Sequence, residues 1–307
     1  MSTALDVRHP DQPSQFEQKA TTMSITTATT PTEPFQPATA RGTASATIDA
    51  TAHRVTLGRV VSSEWLKFRT VRSNTIALAS AVIAAVGFGA LFSSLAGTDE
   101  GPRRLADNAL SLTLAGFQVS QLIIAILGVA IVAGEYQTGL IRTWFGAAPD
   151  RLRVLIAKVG VFGSATFAAM LVAAFAAFFA GQALLPASWT ALAITDDGVL
   201  QALIGTAFYA AGIGVMGVGL GFLLRSTAAG AGAVVGTLMI APLLVSLLPS
   251  SIGDPLGKIL PSNAGTAMTG VESTTELLSA GWGFVVLIGW VLAIVGAAAV
   301  SLRRRDA

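Results

Sequence analysis

Residues 134–158 read GEYQTGLIRTWFGAAPDRLRVLIAK, a polar and mostly cationic passage between two long apolar runs. It opens with Glu135, carries Gly139, Arg142 and Pro149 in its middle, and closes with Arg151, Arg153 and Lys158. The chain on either side has no charged residue back to Asp107 or forward to Asp196. Such a passage marks where an apolar chain surfaces, shows a short segment with basic edges, and turns back.

Working outward, the same pattern repeats. Hydrophobic residues make up 53% of the 307 positions and charged ones only 12%, where a soluble domain carries about a quarter. Mean hydropathy is +0.68. The charges are bunched, and six runs between them reach the ~20 residues that a helix needs to cross a bilayer: 75–97, 116–134, 154–184, 200–224, 228–248 and 280–302. Each is apolar all the way round, so its backbone must satisfy itself as helix. The expected fold is an all-α membrane protein of six transmembrane helices. The third run exceeds the requirement, which predicts a tilt or an extension beyond the membrane near Lys158.

Lys and Arg assign the sides. With the N-terminus inside, the inner segments hold Arg54, Arg59, Lys67, Arg69 and Arg72, then Arg142, Arg151, Arg153 and Lys158, then Arg225, then Arg303, Arg304 and Arg305. The outer segments hold Arg103, Arg104 and Lys258, with acids such as Asp99, Glu100, Asp196, Asp197 and Asp254. The pattern predicts a multi-pass plasma-membrane protein with both termini cytoplasmic. Its N-terminus lacks a charged start followed by an apolar core, so no signal peptide is expected and the first span would direct insertion.

Residues 1–54 are rich in Thr, Ser, Ala, Pro and Gln, too poor in large apolar groups to offset ordering entropy. They read as a disordered cytosolic tail ahead of a transmembrane domain at 55–307. At the junction, residues 56–72 read TLGRVVSSEWLKFRTVR. Leu57, Val60, Val61, Trp65 and Phe68 recur at helical spacing, with Arg59, Ser63, Lys67 and Thr70 elsewhere around the helix. That is the pattern of an amphipathic helix lying in the membrane interface; Glu64, Trp65, Lys67, Phe68 and Arg69 are its candidate functional residues.

Several functions are disfavoured. There are no cysteines, so a disulfide-held outer domain or a Cys metal site is not expected. His9 and His53 both precede the first span, and no ionisable residue lies well inside any span. Ion-coupled carriers usually need such groups at mid-membrane, and a membrane hydrolase needs a base or a metal set. Catalytic residues, metals and nucleic-acid partners are therefore not expected. GxxxG pairs at Gly217–Gly221 and Gly232–Gly236 permit close helix approach, with packing inside the chain the expected use. Pro242 should loosen the fifth span. Residues 249–279 are too long for a simple turn; Ile252, Leu256, Ile259 and Leu260 could line one face of a short helix, whether a lid, a dip into the outer leaflet or a surface loop.

Four pieces together carry a family resemblance: SSEWLKFRTVRSN before the first span, the 134–158 passage, LLRSTAAGAGAVVG at 223–236, and LPSNAG at 260–265. From residue 55 to the C-terminus, the chain resembles the membrane subunit of an ABC transporter of the ABC-2 type, of the exporter-like kind found in high-GC Gram-positive bacteria. Leu140 follows Gly139 where many relatives have Thr. The resemblance implies an interfacial elbow helix, a coupling segment at 134–158, a second permease subunit (identical or not), and a cytosolic P-loop ATPase subunit carrying ATP and magnesium. This chain has no G-x-x-x-x-G-K-[ST] motif; Gly257–Lys258 is followed by Ile259. The phosphate-cradling loop must then come from another chain.

Glu135, Gly139, Arg142, Pro149, Arg151 and Lys158 are the candidate ATPase-coupling residues. Glu135 is expected to pair with Lys67 or Arg69, Gly139 to permit a tight turn, and Arg142 and Arg151 to meet acidic groups of the ATPase. Gln118, Ser120, Gln121 and Pro242 are the candidate pathway residues, at a contact between two permeases. An apolar, uncharged lining suits a hydrophobic or amphipathic cargo such as a lipid, drug or peptide, and the resemblance implies export. A secondary carrier and a non-transporting scaffold or sensor subunit remain the alternatives.

Overall fold

The computed structural model describes residues 56–96, 109–139, 151–269 and 279–304. Among these residues every regular element is helical, and six helices are long and apolar enough to cross a membrane. The tail at 1–54, Arg142, Pro149 and Arg305 lie outside the described residues.

Helix α1 (Leu57–Thr70) precedes the first long helix, α2 (Arg72–Leu95). The second span is two pieces, α3 (Ala109–Leu114) and α4 (Phe117–Gln137). At the joint, Gly116 sits so close to α2 that a Cβ there would overlap the Ala85 carbonyl. Helix α5 (Arg151–Leu184) is unbroken over 34 residues, about 50 Å at 1.5 Å per residue, against a hydrocarbon core of about 30 Å. The excess length foreseen for this run is therefore helical.

Helix α6 (Val199–Leu224) is the central pillar, buried along most of its length. It packs on α4 and α5 and on Thr227–Val235, Pro261–Thr269 and Ala280–Arg304 further along the chain. Small residues permit this: a Cβ at Gly217 would overlap the Ala125 carbonyl of α4. Gly217 and Gly221 thus serve packing within the chain. Gly232 and Gly236 have open space beside them.

The fifth span starts with α7 (Thr227–Val235), whose first turn is capped by the Ser226 hydroxyl accepting from the Ala229 N–H at 3.3 Å. It continues as a π turn over Gly236–Ile240 and ends as α8 (Ala241–Ser246). The Ala241 N–H reaches back five residues to the Gly236 carbonyl. Pro242, just beyond, has no N–H to give. The loosening expected there takes the form of one extra residue in the turn ahead of the proline.

Two short helices follow, α9 (Ser250–Lys258) and α10 (Pro261–Thr269), before α11 (Ala280–Arg304) closes the described chain. α10 is wedged between α6 and α11: the Tyr209 ring lies on Gly265, and the Ala264 carbonyl on Gly283. The LPSNAG stretch therefore packs inside the bundle instead of forming a surface loop. Of the four apolar residues singled out here, Leu260 is buried, while Ile252, Leu256 and Ile259 are exposed. The α9–α10 corner is tied by Asn263 Nδ2 donating to the Gly257 carbonyl at 2.9 Å and by Trp290 Nε1 donating to the Ile259 carbonyl at 2.7 Å.

Candidate functional site

Three helices meet at the end of the bundle from which residues 140–150 depart. α1 lies along the start of α5, with Val60 packed on Val154 and Ala157. α4 ends beside both. From these elements four charged side chains converge. Lys158 Nζ donates to Glu64 Oε2 at 2.7 Å and to Glu135 Oε1 at 2.9 Å. Lys67 Nζ donates to the same Glu135 oxygen at 3.1 Å and forms an ion pair with Glu64. Each ammonium thus touches both carboxylates, and charges alternate around a closed ring. Lys158 is 2% exposed and Glu64 4%.

Burying one such charge alone would cost several kcal/mol, and the cost is offset only when each ion keeps good partners. The ring meets that condition with net charge zero. It also cross-links α1, α4 and α5, the helices on both sides of residues 140–150. Beside it lies a cavity of about 400 Å³, whose mostly apolar wall includes Phe68, Ile131 and Phe162.

The sequence expectation for Glu135 left Lys67 and Arg69 open. Lys67 is the partner; Arg69 is exposed. Glu64 was read only as part of the α1 pattern, yet it is the most enclosed acid of the ring. The apolar stripe of α1 is divided: Val60 is buried and Phe68 packs edge-on against Phe162 at 6.0 Å, while Leu57, Val61 and Trp65 stay exposed. The face turned to the bundle is Val60–Glu64–Lys67–Phe68, at helical spacing. The i, i+3 pair Glu64/Lys67 was the available signal.

Lys158 has no surface from which to touch a docking partner, so any part it plays in coupling is internal. Arg151 Nη1 donates to the Leu302 carbonyl at 3.3 Å, joining the start of α5 to the last turn of α11. Gly139 has φ +72°, its N–H bonding back to the Tyr136 carbonyl at 3.2 Å. Glycine takes this left-handed position after a helix end at no steric cost; the turn expected of it is present.

Each residue of the Glu135–Gln137 triplet faces a different neighbour. Glu135 enters the ring. Tyr136 lies under the Arg225 guanidinium at 5.0 Å and meets Phe222 edge-on. Gln137 Nε2 donates to Thr227 Oγ1 at 3.4 Å. Arg225 itself has φ 52°, where α6 stops and the chain turns into α7.

At the other end of the bundle, Gln118, Gln121 and Pro242 line one cavity of about 200 Å³. Ser120 does not join them. It is fully buried and its hydroxyl donates to the Ala81 carbonyl at 2.6 Å, fastening α4 to α2. No protein-family model matches this chain, and no curated protein matches it.

Proposed function

We propose that the chain is the membrane subunit of an ATP-driven transporter of the ABC-2 type, exporting an amphipathic compound while a separate cytosolic subunit hydrolyses ATP. The observation that carries this reading is the charge ring. It locks α1 to the two helices flanking residues 140–150, so a push on that segment moves three elements as one body. The charge partition of the sequence supports a cytosolic setting for this end. The stretches that carry the resemblance include, among the described residues, α1, the ring residues Glu135 and Lys158 at the two ends of 134–158, the capped start of α7 and the wedged α10.

The test is reconstitution in liposomes with a cytosolic P-loop ATPase that co-purifies with this chain. Glu135→Gln and Arg151→Glu are expected to lower cargo-stimulated ATP hydrolysis at least about tenfold, the scale of a typical coupling free energy, with membrane insertion unchanged. Wild-type rates in both variants, or no such ATPase that binds the chain and responds to it, would refute the proposal.

A further inference from the structure

The cavity at the far end from the charge ring has a lining of unusual chemistry for a membrane-embedded site. Gln118 and Gln121 reach it from α4, one turn apart; Tyr209 comes from α6; Ser262, Asn263 and Thr269 come from α10. None of the described lining residues is charged. Gln121 Nε2 donates to Gln118 Oε1 at 2.6 Å. Gln121 Oε1 and Ser262 Oγ are buried and have no hydrogen-bond partner among the described residues. Buried polar atoms are almost always satisfied, by protein, by water or by a ligand, and a site of this volume admits several waters at about 30 Å³ each.

The orphaned atoms define what fits. An amide oxygen accepts and a hydroxyl both accepts and donates, so the site suits a neutral group bearing hydroxyls. A phosphate or an ammonium would lose its hydration with no counter-charge among the described lining residues to meet it. Pro242 forms one edge of the cavity, and beyond it Leu243 and Leu244 of α8 and Leu247 just past its end are exposed. A polar pocket thus opens beside an uncovered aliphatic face.

We propose that this cavity binds the neutral, hydroxyl-bearing head of an amphiphile whose apolar chain lies along α8. That this amphiphile is the cargo rests on the transporter reading; the binding itself does not.

The test uses the full chain alone in dioleoylphosphatidylcholine nanodiscs, without ATPase or nucleotide. The probe is an octyl glucoside with a diazirine in its alkyl chain. Cross-links are expected on α4, α8 and α10, competed by octyl glucoside but not by octyl phosphate, octyltrimethylammonium or free glucose. Gln121→Leu combined with Ser262→Ala should lower labelling about tenfold, the loss of two hydrogen bonds. Ser262→Thr, which keeps the hydroxyl, should retain labelling, and Gln121→Glu should shift preference toward the ammonium competitor. Labelling spread evenly over the lipid-facing helices, equal competition by the charged amphiphiles, or an unchanged double variant would overturn the proposal. Intact labelling with no ATPase coupling would instead count against the transporter reading alone.

Discussion

Lys158 shows how one side chain can set the terms for its neighbours. Its ammonium is enclosed, and Glu64 and Glu135 each need it. Lys158→Met would leave two carboxylates sharing Lys67, which is itself 28% exposed in its side chain. Removing one partner of a buried pair costs about 3–5 kcal/mol, so this variant should show the largest fall in melting temperature in detergent. Lys67→Met, nearer to solvent, should cost about 1 kcal/mol. The double variant Glu64→Gln/Lys158→Met leaves the Lys67–Glu135 pair balanced and should melt above Lys158→Met alone. Strict additivity of the two single changes would show that the ring does not act as a unit.

Among elements, the fifth and fourth spans use glycine in opposite ways. At Gly217 the α4 backbone occupies the place a Cβ would take, whereas Gly232 faces open space. Gly217→Ala should destabilise by about 1–3 kcal/mol through overpacking. Gly232→Ala should be neutral or stabilise by up to about 1 kcal/mol, since alanine is the better helix former. Thermal unfolding of the two variants side by side checks this, and equal losses would contradict the packing described. The same elements show what a sequence can and cannot disclose. Long apolar runs dictate helices because lipid offers the backbone no partner, so the six long helices were legible from composition alone. Which residue of α1 turns inward was not. Periodicity grouped Leu57, Val60, Val61, Trp65 and Phe68 as one apolar face, of which Val60 and Phe68 turn inward; a helix edge can also bury an acid if another helix brings a lysine, and that lysine stands 94 residues away in the chain. The wedging of α10 was hidden for a similar reason. Ala264 and Gly265 look unremarkable until Tyr209 and Gly283 are set against them. The backbone turn at Gly139 was legible because it is local: α4 ends at Gln137, and Gly139, two residues on, takes positive φ.

At the scale of the molecule, the basic residues among those described, Lys258 apart, gather at the ring end of the bundle, and the hydroxyl- and amide-lined cavity lies at the other. With no native cysteine, single substitutions report sidedness directly. Arg303→Cys in intact cells should resist a membrane-impermeant maleimide until the membrane is permeabilised, and Ser250→Cys should react at once. The reverse order would invert the topology and remove the cytosolic setting on which the coupling proposal depends. Helix α5 joins the two ends without a proline and without interruption. Near one tip it holds Lys158; near the other, Gly181 lies against Thr113 of α3. A stiff rod carries a tilt imposed at one tip through to the other. Pivoting it about its midpoint by ~5° would swing each tip by roughly 2 Å, given its length of about 50 Å. That displacement is enough to make or break a hydrogen bond at one extremity when force is applied at its opposite.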